Sequence, residues 1–273
     1  MQTVAVKDVR IGAGSPLVLI AGPCVIESES ITLSVAEEIR RVVEPRGIPY
    51  IFKASYEKDN RSSHEHYRGP GLEAGLRILE KVKEKIGVPV LSDVHRETDV
   101  QAAASVLDVL QVPAFLCQQT SLLLALGNSG KPLNVKKGQF LSPDAMKSTI
   151  EKIRSTGNQN ILLTERGTTF GYDRLVCDMC SIPIMQSLGF PVVFDATHSV
   201  RRYGVPSSCP DGGAPQFIET LARAAVASGC DALFLETHPD PMKGLCDASS
   251  MLPLRQLSPL LEVLLPLSET VRR

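Results

Sequence analysis

The sequence contains no tryptophan, and only 5% of its 273 residues are aromatic. Proteins that bind single-stranded nucleic acid stack bases on aromatic side chains, so this scarcity argues against that class. A surplus of one charge is also missing, because the net charge of -1 creates no overall field for nucleic acid or an anionic membrane. Basic residues should therefore matter only where they cluster locally.

Long apolar runs are absent too. No stretch approaches the roughly 18 apolar residues that a membrane helix requires, and residues 17–21 form a run only as long as a strand. The N-terminal Met-Gln-Thr-Val lacks the basic and apolar segments of a secretory signal. The seven cysteines are odd in number and lie mostly in apolar runs or helix patterns, which favours reduced thiols over a disulfide framework. We expect a cytoplasmic protein.

Eight short apolar segments recur along the chain, and a helix-like stretch follows each of them. Most are continuous runs of Val, Ile, Leu and Phe rather than alternations, as expected for parallel strands that are buried on both faces. The predicted strands are 17–24, 50–55, 88–95, 109–116, 133–137, 160–166, 191–198 and 232–237.

The first predicted helix follows Ser28 or Ser30, either of which suits an N-cap, and places Ile31, Val35 and Ile39 on one apolar stripe. Proline inside a helix removes a hydrogen bond, so residue 266 is expected to kink or shorten the last helix. The later helices are predicted at 71–86, 97–106, 119–127, 142–156, 174–188, 214–229 and 256–270.

Eight strand–helix alternations fit either a closed barrel or an open doubly wound sheet. The count of eight favours the barrel, and no Gly-x-Gly-x-x-Gly follows the first strand, where a dinucleotide-binding sheet needs it. The length also suits one barrel of about 250 residues better than two small domains. We predict an α/β protein with a single domain over residues 1–273: a (β/α)8 TIM barrel preceded by a short N-terminal β-hairpin at 1–13 that plugs its bottom.

The ends of the predicted strands carry nearly all the chemically interesting side chains. In a parallel barrel the carboxyl ends of the strands open on one face, so these residues should converge on one mouth. This convergence is the argument for an enzyme. The residues are Cys24, Lys53, Asp93, the turn 117–119, Lys136, Glu165 with Arg166, His198 and Glu236.

Several cations lie at these ends. Lys53, Lys58 and Arg61 leave the second strand beside hydroxyl residues and suit a phosphate on a small ligand, although a solvated basic loop fits the same pattern. Lys136 and Arg166 add two cations at the same mouth. Four or five cations there would repel one another by on the order of several kcal/mol. We therefore predict bound anions, either two phosphorylated substrates or one phosphate and a carboxylate.

Cys24, His198, Glu236 and Asp247 form a second group, at or just after the first, seventh and eighth strands. These strands are neighbours in a closed barrel, so the four side chains can meet. Sulfur, nitrogen and oxygen donors suit a divalent Zn, Fe or Mn ion in an open catalytic site. However, the spacing is not that of a zinc finger, and a lone cysteine after Ala-Gly-Pro is more often a small packed residue.

Three further features carry less weight. Asp93 and His95 can bind a hydroxylated substrate, act as a base or orient a neighbour. Cys177 and Cys180 match C-x-x-C, but we expect two buried thiols on a helix because no partner pair exists. His238 can support the end of the eighth strand.

Many motifs occur in one order along the whole chain. Together they resemble the 3-deoxy-D-manno-octulosonate 8-phosphate synthase family. They are Ala-Gly-Pro-Cys at 21–24, Asn-Arg-Ser-Ser at 60–63, Arg-Gly-Pro-Gly at 68–71, Pro-Ala-Phe-Leu at 113–116, Asn-Val-Lys-Lys-Gly-Gln-Phe at 134–140, Leu-Thr-Glu-Arg-Gly-Thr-Thr-Phe-Gly-Tyr at 163–172, Phe-Asp-Ala-Thr-His-Ser at 194–199 and Glu-Thr-His-Pro at 236–239.

The resemblance implies a (β/α)8 barrel, usually a homotetramer, that condenses phosphoenolpyruvate with D-arabinose 5-phosphate and releases phosphate. The product feeds the sugar that links lipid A to the rest of bacterial lipopolysaccharide. The related 3-deoxy-D-arabino-heptulosonate 7-phosphate synthases use erythrose 4-phosphate and typically have Lys-Pro-Arg-Thr-Ser after the second strand. The Asn-Arg-Ser-Ser of this chain favours the five-carbon acceptor. A non-catalytic phosphosugar-binding barrel remains the alternative from another class.

Cys24 and the Asp-Ala-Ser at 247–249 resemble the metal-dependent class of the family. The resemblance therefore implies one divalent ion, Zn, Fe, Mn or Co, held by Cys24, His198, Glu236 and Asp247. It also places a family arginine where this chain has Gln118. That arginine normally holds the phosphate of phosphoenolpyruvate. A neutral amide cannot make a charge-assisted hydrogen bond to this phosphate, which predicts weakened phosphoenolpyruvate binding.

The remaining site residues also follow from the resemblance, position by position. Lys136 and Arg166 match ligands of the phosphoenolpyruvate phosphate, and Lys53 matches a residue near its carboxylate. The pentose phosphate side corresponds to Lys58, Asn60, Arg61 and Ser62, with Arg61 and Ser62 most directly at the phosphate. The candidate catalytic residues are Lys53, Asp93, His95, Lys136 and His198.

Overall fold

The computed structural model describes residues 1–61 and 63–272. Its first element is an antiparallel hairpin of β1 (Thr3–Val6) and β2 (Val9–Gly12), in which exposed and buried residues alternate. Lys7 lies between the two strands with φ of 53°, a left-handed conformation found in tight hairpin turns. The predicted hairpin is confirmed.

Eight parallel strands follow in the described ranges, each paired with the next. The last of them pairs with both the seventh and the first, so the sheet closes and the predicted TIM barrel is confirmed. The strands are β3 (Val18–Gly22), β4 (Tyr50–Lys53), β5 (Val90–Asp93), β6 (Val109–Val112), β7 (Leu133–Lys136), β8 (Ile161–Glu165), β9 (Val192–Asp195) and β10 (Ala232–His238).

A helix follows each barrel strand and covers its outer face, where the larger core lies. Ser28 caps the first helix by accepting a hydrogen bond from the Ile31 amide at 3.2 Å, so Ser28 and not Ser30 is the N-cap. Within the described residues no helix has the length and apolar character needed to cross a membrane. The helices are α1 (Glu29–Val43), α2 (Leu72–Ile86), α3 (Val100–Val106), α4 (Thr120–Asn128), α5 (Met146–Arg154), α6 (Ser181–Ser187), α7 (Ile218–Ala227) and α8 (Leu257–Val271).

Two helix predictions were wrong in part. The helix expected at 174–188 shortens to α6, because Thr168 and Val176 exchange two backbone hydrogen bonds of 2.9 Å that hold the preceding segment extended. Cys177 and Cys180 therefore precede the helix, and Cys180 is exposed rather than buried. Pro266 does not shorten α8, which continues through it to Val271.

The hairpin packs against the amino-terminal end of the barrel. Its buried residues Val4, Val6, Val9 and Ile11 form one cluster with side chains inside the barrel, including Val18. The bottom of the barrel is thus filled with apolar side chains, as predicted for a plug.

A short strand, β11 (Leu252–Pro253), pairs in parallel with the end of β10 outside the barrel. It follows the loop that carries Cys246 and Asp247. This pairing, which the sequence did not predict, returns that loop to the mouth.

Candidate active site

The strand ends bring charged side chains to one mouth. Lys53, Asp93, Lys136 and Asp195 are each the last residue of a barrel strand. Glu236 lies near the end of β10. The convergence predicted from the strand order is therefore present in the structure.

Gly22 permits the close approach of β3 and β4 below Cys24. A Cβ atom at this position would clash with the backbone carbonyl of Lys53. The same Lys53 donates a hydrogen bond of 2.8 Å to the carbonyl oxygen of Cys24. The glycine of the Ala-Gly-Pro-Cys motif thus has a packing role beside the site.

Each of the three lysines at the mouth has a carboxylate partner. The Lys53 ammonium lies 2.6 Å from Glu236 Oε1, and the Lys58 ammonium lies 3.2 Å from Asp93 Oδ2. Lys136 donates a hydrogen bond to the Asp195 carboxylate. All three lysines are buried, so the solvated-loop interpretation does not fit Lys58.

These pairs keep the carboxylates ionised. Burial alone would raise the pKa of Glu236, but His198 and Lys53 are the main groups that lower it to about 2. Burial is likewise overcome at Asp195, where His198 and Lys136 hold the pKa well below its usual range. At Lys136 burial prevails over the attraction of Asp195 and lowers the pKa of the ammonium.

Sulfur, nitrogen and oxygen donors converge around Asp247. Its Oδ2 lies 3.3 Å from Cys24 Sγ and 3.6 Å from His198 Nε2, which is also 3.6 Å from Glu236 Oε2. The other ring nitrogen, Nδ1, lies 2.7 Å from Asp195 Oδ2. A carboxylate behind one nitrogen fixes the ring so that the other faces the donors, as in metal-binding histidines.

The donor types fit one divalent ion. Cys246 joins Cys24 and Asp247 in one triplet of donor atoms within 4.8 Å of one another, and His198, Glu236 and Asp247 form a second. A thiol, an imidazole and two carboxylates match Zn, Fe, Mn or Co. We call Cys24, His198, Glu236 and Asp247 the donor group.

Asp247 has an unusual backbone conformation, with φ of 48° and ψ of 29°. The left-handed region is uncommon for residues other than glycine, although aspartate tolerates it better than most, and such residues cluster at functional sites. The second carboxylate oxygen, Oδ1, accepts a hydrogen bond of 2.5 Å from Arg201. The loop thus presents one carboxylate to two sets of partners.

Two cavities open at the mouth, and the first of them reaches the donor group. The first has a volume of about 360 Å³, and its lining includes Lys58, Arg61, Arg166, Arg201 and Asp247. The second, of about 390 Å³, shares the Asn60–Arg61 segment with the first and adds His95. Both volumes lie in the range of small-molecule sites. We call the first the arginine cavity.

A row of buried polar side chains orients Asp93 across four strands. Gln111 donates to Asp93 Oδ1 at 2.6 Å, Asn134 donates to Gln111 at 2.8 Å, and Thr164 donates to Asn134 at 2.6 Å. Lys58 binds the other oxygen of the carboxylate. Because all members of the row are buried and paired, Asp93 is held in one orientation.

Comparison with known proteins identifies the family. Residues 1–273 match the DAHP synthetase I family. The chain belongs to the DAHP synthetase I family.

Two relatives are named 2-dehydro-3-deoxyphosphooctonate aldolase. The protein of Syntrophotalea carbinolica is 53% identical over 271 residues, covering 99% of this chain and 98% of the relative. That of Trichlorobacter lovleyi is 54% identical over 271 residues, covering 99% of each chain. The predicted resemblance is confirmed.

Some predicted residues of this DAHP synthetase I family member lie apart from the donor group. Gln118 is exposed, lines neither cavity, and uses its backbone carbonyl to accept a hydrogen bond of 2.8 Å from Lys152. His95 lines the second cavity, and burial lowers the pKa of its ring. Asn60 is exposed at the mouth, and Ser62 lies outside the described residues.

The sequence analysis missed several residues at the mouth of this DAHP synthetase I family barrel. Asp195 holds both Lys136 and His198, and its position as the last residue of a strand was the signal that could have found it. Arg201 and Cys246 lie in loops near His198 and Asp247. The only sequence signal for these two residues was that Arg201 closely follows His198 and that Cys246 directly precedes Asp247.

Proposed function

We propose that this chain is a transferase that condenses phosphoenolpyruvate with D-arabinose 5-phosphate and water. The products are 3-deoxy-D-manno-octulosonate 8-phosphate and inorganic phosphate, in the pathway that supplies this sugar to lipopolysaccharide. One observation carries the proposal: the cation-lined arginine cavity also reaches His198 and Asp247 of the donor group. The names of the relatives support it.

Phosphoenolpyruvate binds through its two anionic groups in this proposal. Arg166 and Lys136 hold the phosphate, and Lys53 lies near the carboxylate. The Arg166 side chain lines the arginine cavity and donates to the Tyr203 hydroxyl at 2.9 Å. Its Nε atom is buried and has no hydrogen-bond partner among the described residues, which supports a role for Arg166 in binding a ligand.

The acceptor sugar binds on the side of the Lys58–Arg61 segment. Lys58, Asn60 and Arg61 all line the arginine cavity. We assign the sugar phosphate to Arg61 and Ser62, with the Ser62 assignment resting on the resemblance alone. Asp93, fixed by its polar row, is available to bind a sugar hydroxyl.

The reaction joins the alkene carbon of phosphoenolpyruvate to the aldehyde carbon of the open-chain sugar. The aldehyde oxygen takes up a proton, and water adds to the cationic carbon that remains. Phosphate then leaves by cleavage of its carbon–oxygen bond. Lys53 and Lys136, fixed by Glu236 and Asp195, position the anionic groups and stabilise the charge that develops.

We propose that the donor group holds one divalent ion, Zn, Fe, Mn or Co. When bound, such an ion polarises a carbonyl group or lowers the pKa of a water molecule. The chain's own contribution is visible in the geometry, because Asp195 fixes the His198 ring and the 239–251 loop fixes Asp247. His198, Asp93, His95, Lys53 and Lys136 remain our candidates for catalysis.

We also propose that the chain forms one domain over residues 1–273 and acts as a cytoplasmic homotetramer. All seven cysteines lie in the described ranges and are free thiols, which supports a reducing compartment. Phe170, Tyr172 and Phe217 are large exposed apolar side chains, of the kind that subunit contacts bury. No nucleic acid or membrane partner is proposed.

Phosphate release tests the function directly. The enzyme, loaded in turn with Mn, Fe, Co and Zn, is assayed with phosphoenolpyruvate and either D-arabinose 5-phosphate or erythrose 4-phosphate. We expect phosphate release to be faster with arabinose 5-phosphate, and none from phosphoenolpyruvate alone. Faster turnover of erythrose 4-phosphate would indicate a heptulosonate phosphate synthase. No release with either sugar would indicate a non-catalytic phosphosugar-binding barrel.

A further inference from the structure

Arg201 is a fixed cation of the arginine cavity to which no role has been assigned. It follows the 3-10 turn His198–Val200, and its amide donates to the His198 carbonyl at 3.2 Å. A backbone bridge to Gly213 holds it from the other side. Its side chain is only 19% exposed. The guanidinium is therefore a built part of the wall and not a solvated surface group.

The carboxylate of Asp247 brings two guanidinium groups together. Oδ2 faces Cys24 and His198, whereas Oδ1 faces Arg201 at 2.5 Å and Arg61 at 4.0 Å. Both arginines line the arginine cavity. The donor group thus lies on one side of the carboxylate and a pair of arginines on the other.

The wall of this cavity has more cations than carboxylates. Arg61 and Arg201 share Asp247, and the Arg166 guanidinium has no carboxylate within 4.0 Å among the described residues. Lys58, the remaining cation, is already paired with Asp93. An excess of positive charge in a partly desolvated cavity favours a bound anion. Two guanidinium groups that meet at one point suit a phosphate monoester, which accepts several hydrogen bonds from such donors.

We propose that Arg201 binds the phosphate of the acceptor sugar together with Arg61, and that Asp247 Oδ1 orients both guanidinium groups for it. This inference rests on the proposed function. Gln118 is neutral and lies outside both cavities, so it contributes no cation here. Arg201 is therefore a substrate-binding residue of this chain that sequence patterns did not reveal.

Arg201→Gln tests the proposal, because the amide retains a donor for Asp247 but removes the charge. Losing a charged hydrogen bond should raise the KM for arabinose 5-phosphate by about ten- to a hundred-fold. The KM for phosphoenolpyruvate and the content of bound metal should not change. Calorimetric titration of the metal-loaded enzyme with arabinose 5-phosphate alone should show the same loss of affinity, and Arg201→Lys should restore part of it.

Arg202→Gln is the matched control, since it removes the same charge from the next residue, which does not line the arginine cavity. It should leave both KM values unchanged. A rise in the KM for phosphoenolpyruvate alone, or a loss of metal from Arg201→Gln, would overturn the assignment. If the wild type binds arabinose 5-phosphate but releases no phosphate, the proposed reaction fails while the titration still tests Arg201. If the wild type does not bind this sugar phosphate, both proposals are wrong.

Discussion

At the scale of single residues, Asp195 links two functional side chains through one buried carboxylate. Oδ2 contacts both Lys136 and His198 Nδ1, and Oδ1 accepts the His198 backbone amide at 2.9 Å. A carboxylate behind a metal-binding histidine raises the basicity of the ring and fixes its orientation. Asp195 should therefore set the basicity and orientation of His198 in the donor group, although it is not one of the four donors.

We predict that Asp195→Asn weakens metal binding by about 10- to 100-fold, as is typical when such a supporting partner is changed. The neutral amide can no longer compensate the charge of Lys136, and it supports the His198 ring less strongly than a carboxylate does. The protein is stripped with a chelator and titrated with Mn or Zn while bound metal and activity are measured. Asp211→Asn, the same change at an exposed aspartate, should behave like the wild type. Equal metal affinity in Asp195→Asn would contradict the role given to this carboxylate.

The convergence of the four donor-group side chains could be predicted because chain order fixes strand order in a closed barrel. Cys24, His198, Glu236 and Asp247 lie near or after the ends of the first and the last two strands, which are neighbours. Arg201 could not be found in this way. Its position depends on a bridge to Gly213 and a contact with Asp247, both of which join loops that have no periodic pattern.

At the scale of elements, the sequence predicted where strands and helices occur better than where they end. The strand expected at 88–95 is only β5, Val90–Asp93. Hydrophobic runs report burial, and residues beyond a strand end can be buried without pairing to a neighbour. The shortened α6 has a different cause, because the pairing of Thr168 with Val176 is a contact between loop segments that a helical pattern does not encode.

Pro266 is expected to lower the stability of helix α8. This exposed proline lies in the helix interior and cannot donate a hydrogen bond to the Glu262 carbonyl. Pro266→Ala should therefore raise the free energy of unfolding by up to about 3 kcal/mol, measured by urea denaturation. Pro259→Ala is the control, because the first turn of a helix tolerates proline. A Pro266→Ala protein no more stable than the control would show that the proline ring stabilises α8 in another way.

At the scale of the whole molecule, the two ends of the barrel have separate tasks. The carboxyl end carries the charged groups, whereas the hairpin fills the amino end with apolar side chains. Activity and stability should therefore depend on different residues. Substitutions in the hairpin should affect unfolding far more than turnover.

Ile11 is the test of this separation, since its side chain is completely buried in the plug. Ile11→Ala should lower the free energy of unfolding by about 2–5 kcal/mol through lost burial and a cavity. The steady-state constants, measured well below the unfolding temperature, should stay at wild-type values. Arg10→Ala, at an exposed position of the same strand, should change neither property. Reduced turnover with unchanged stability would contradict this separation, because it would show that the plug affects the side chains at the mouth.

Closure of the barrel by β3 and β10 also determines when the site can exist during protein synthesis. Cys24 leaves the ribosome 223 residues ahead of Asp247, its partner in the donor group. Until β10 has emerged, β3 has an unpaired edge, and such edges promote association between incomplete chains. A nascent chain that ends before residue 232 already contains the lysines of the mouth but lacks Glu236 and Asp247. The proposed metal site is therefore complete only after almost the entire chain has been translated.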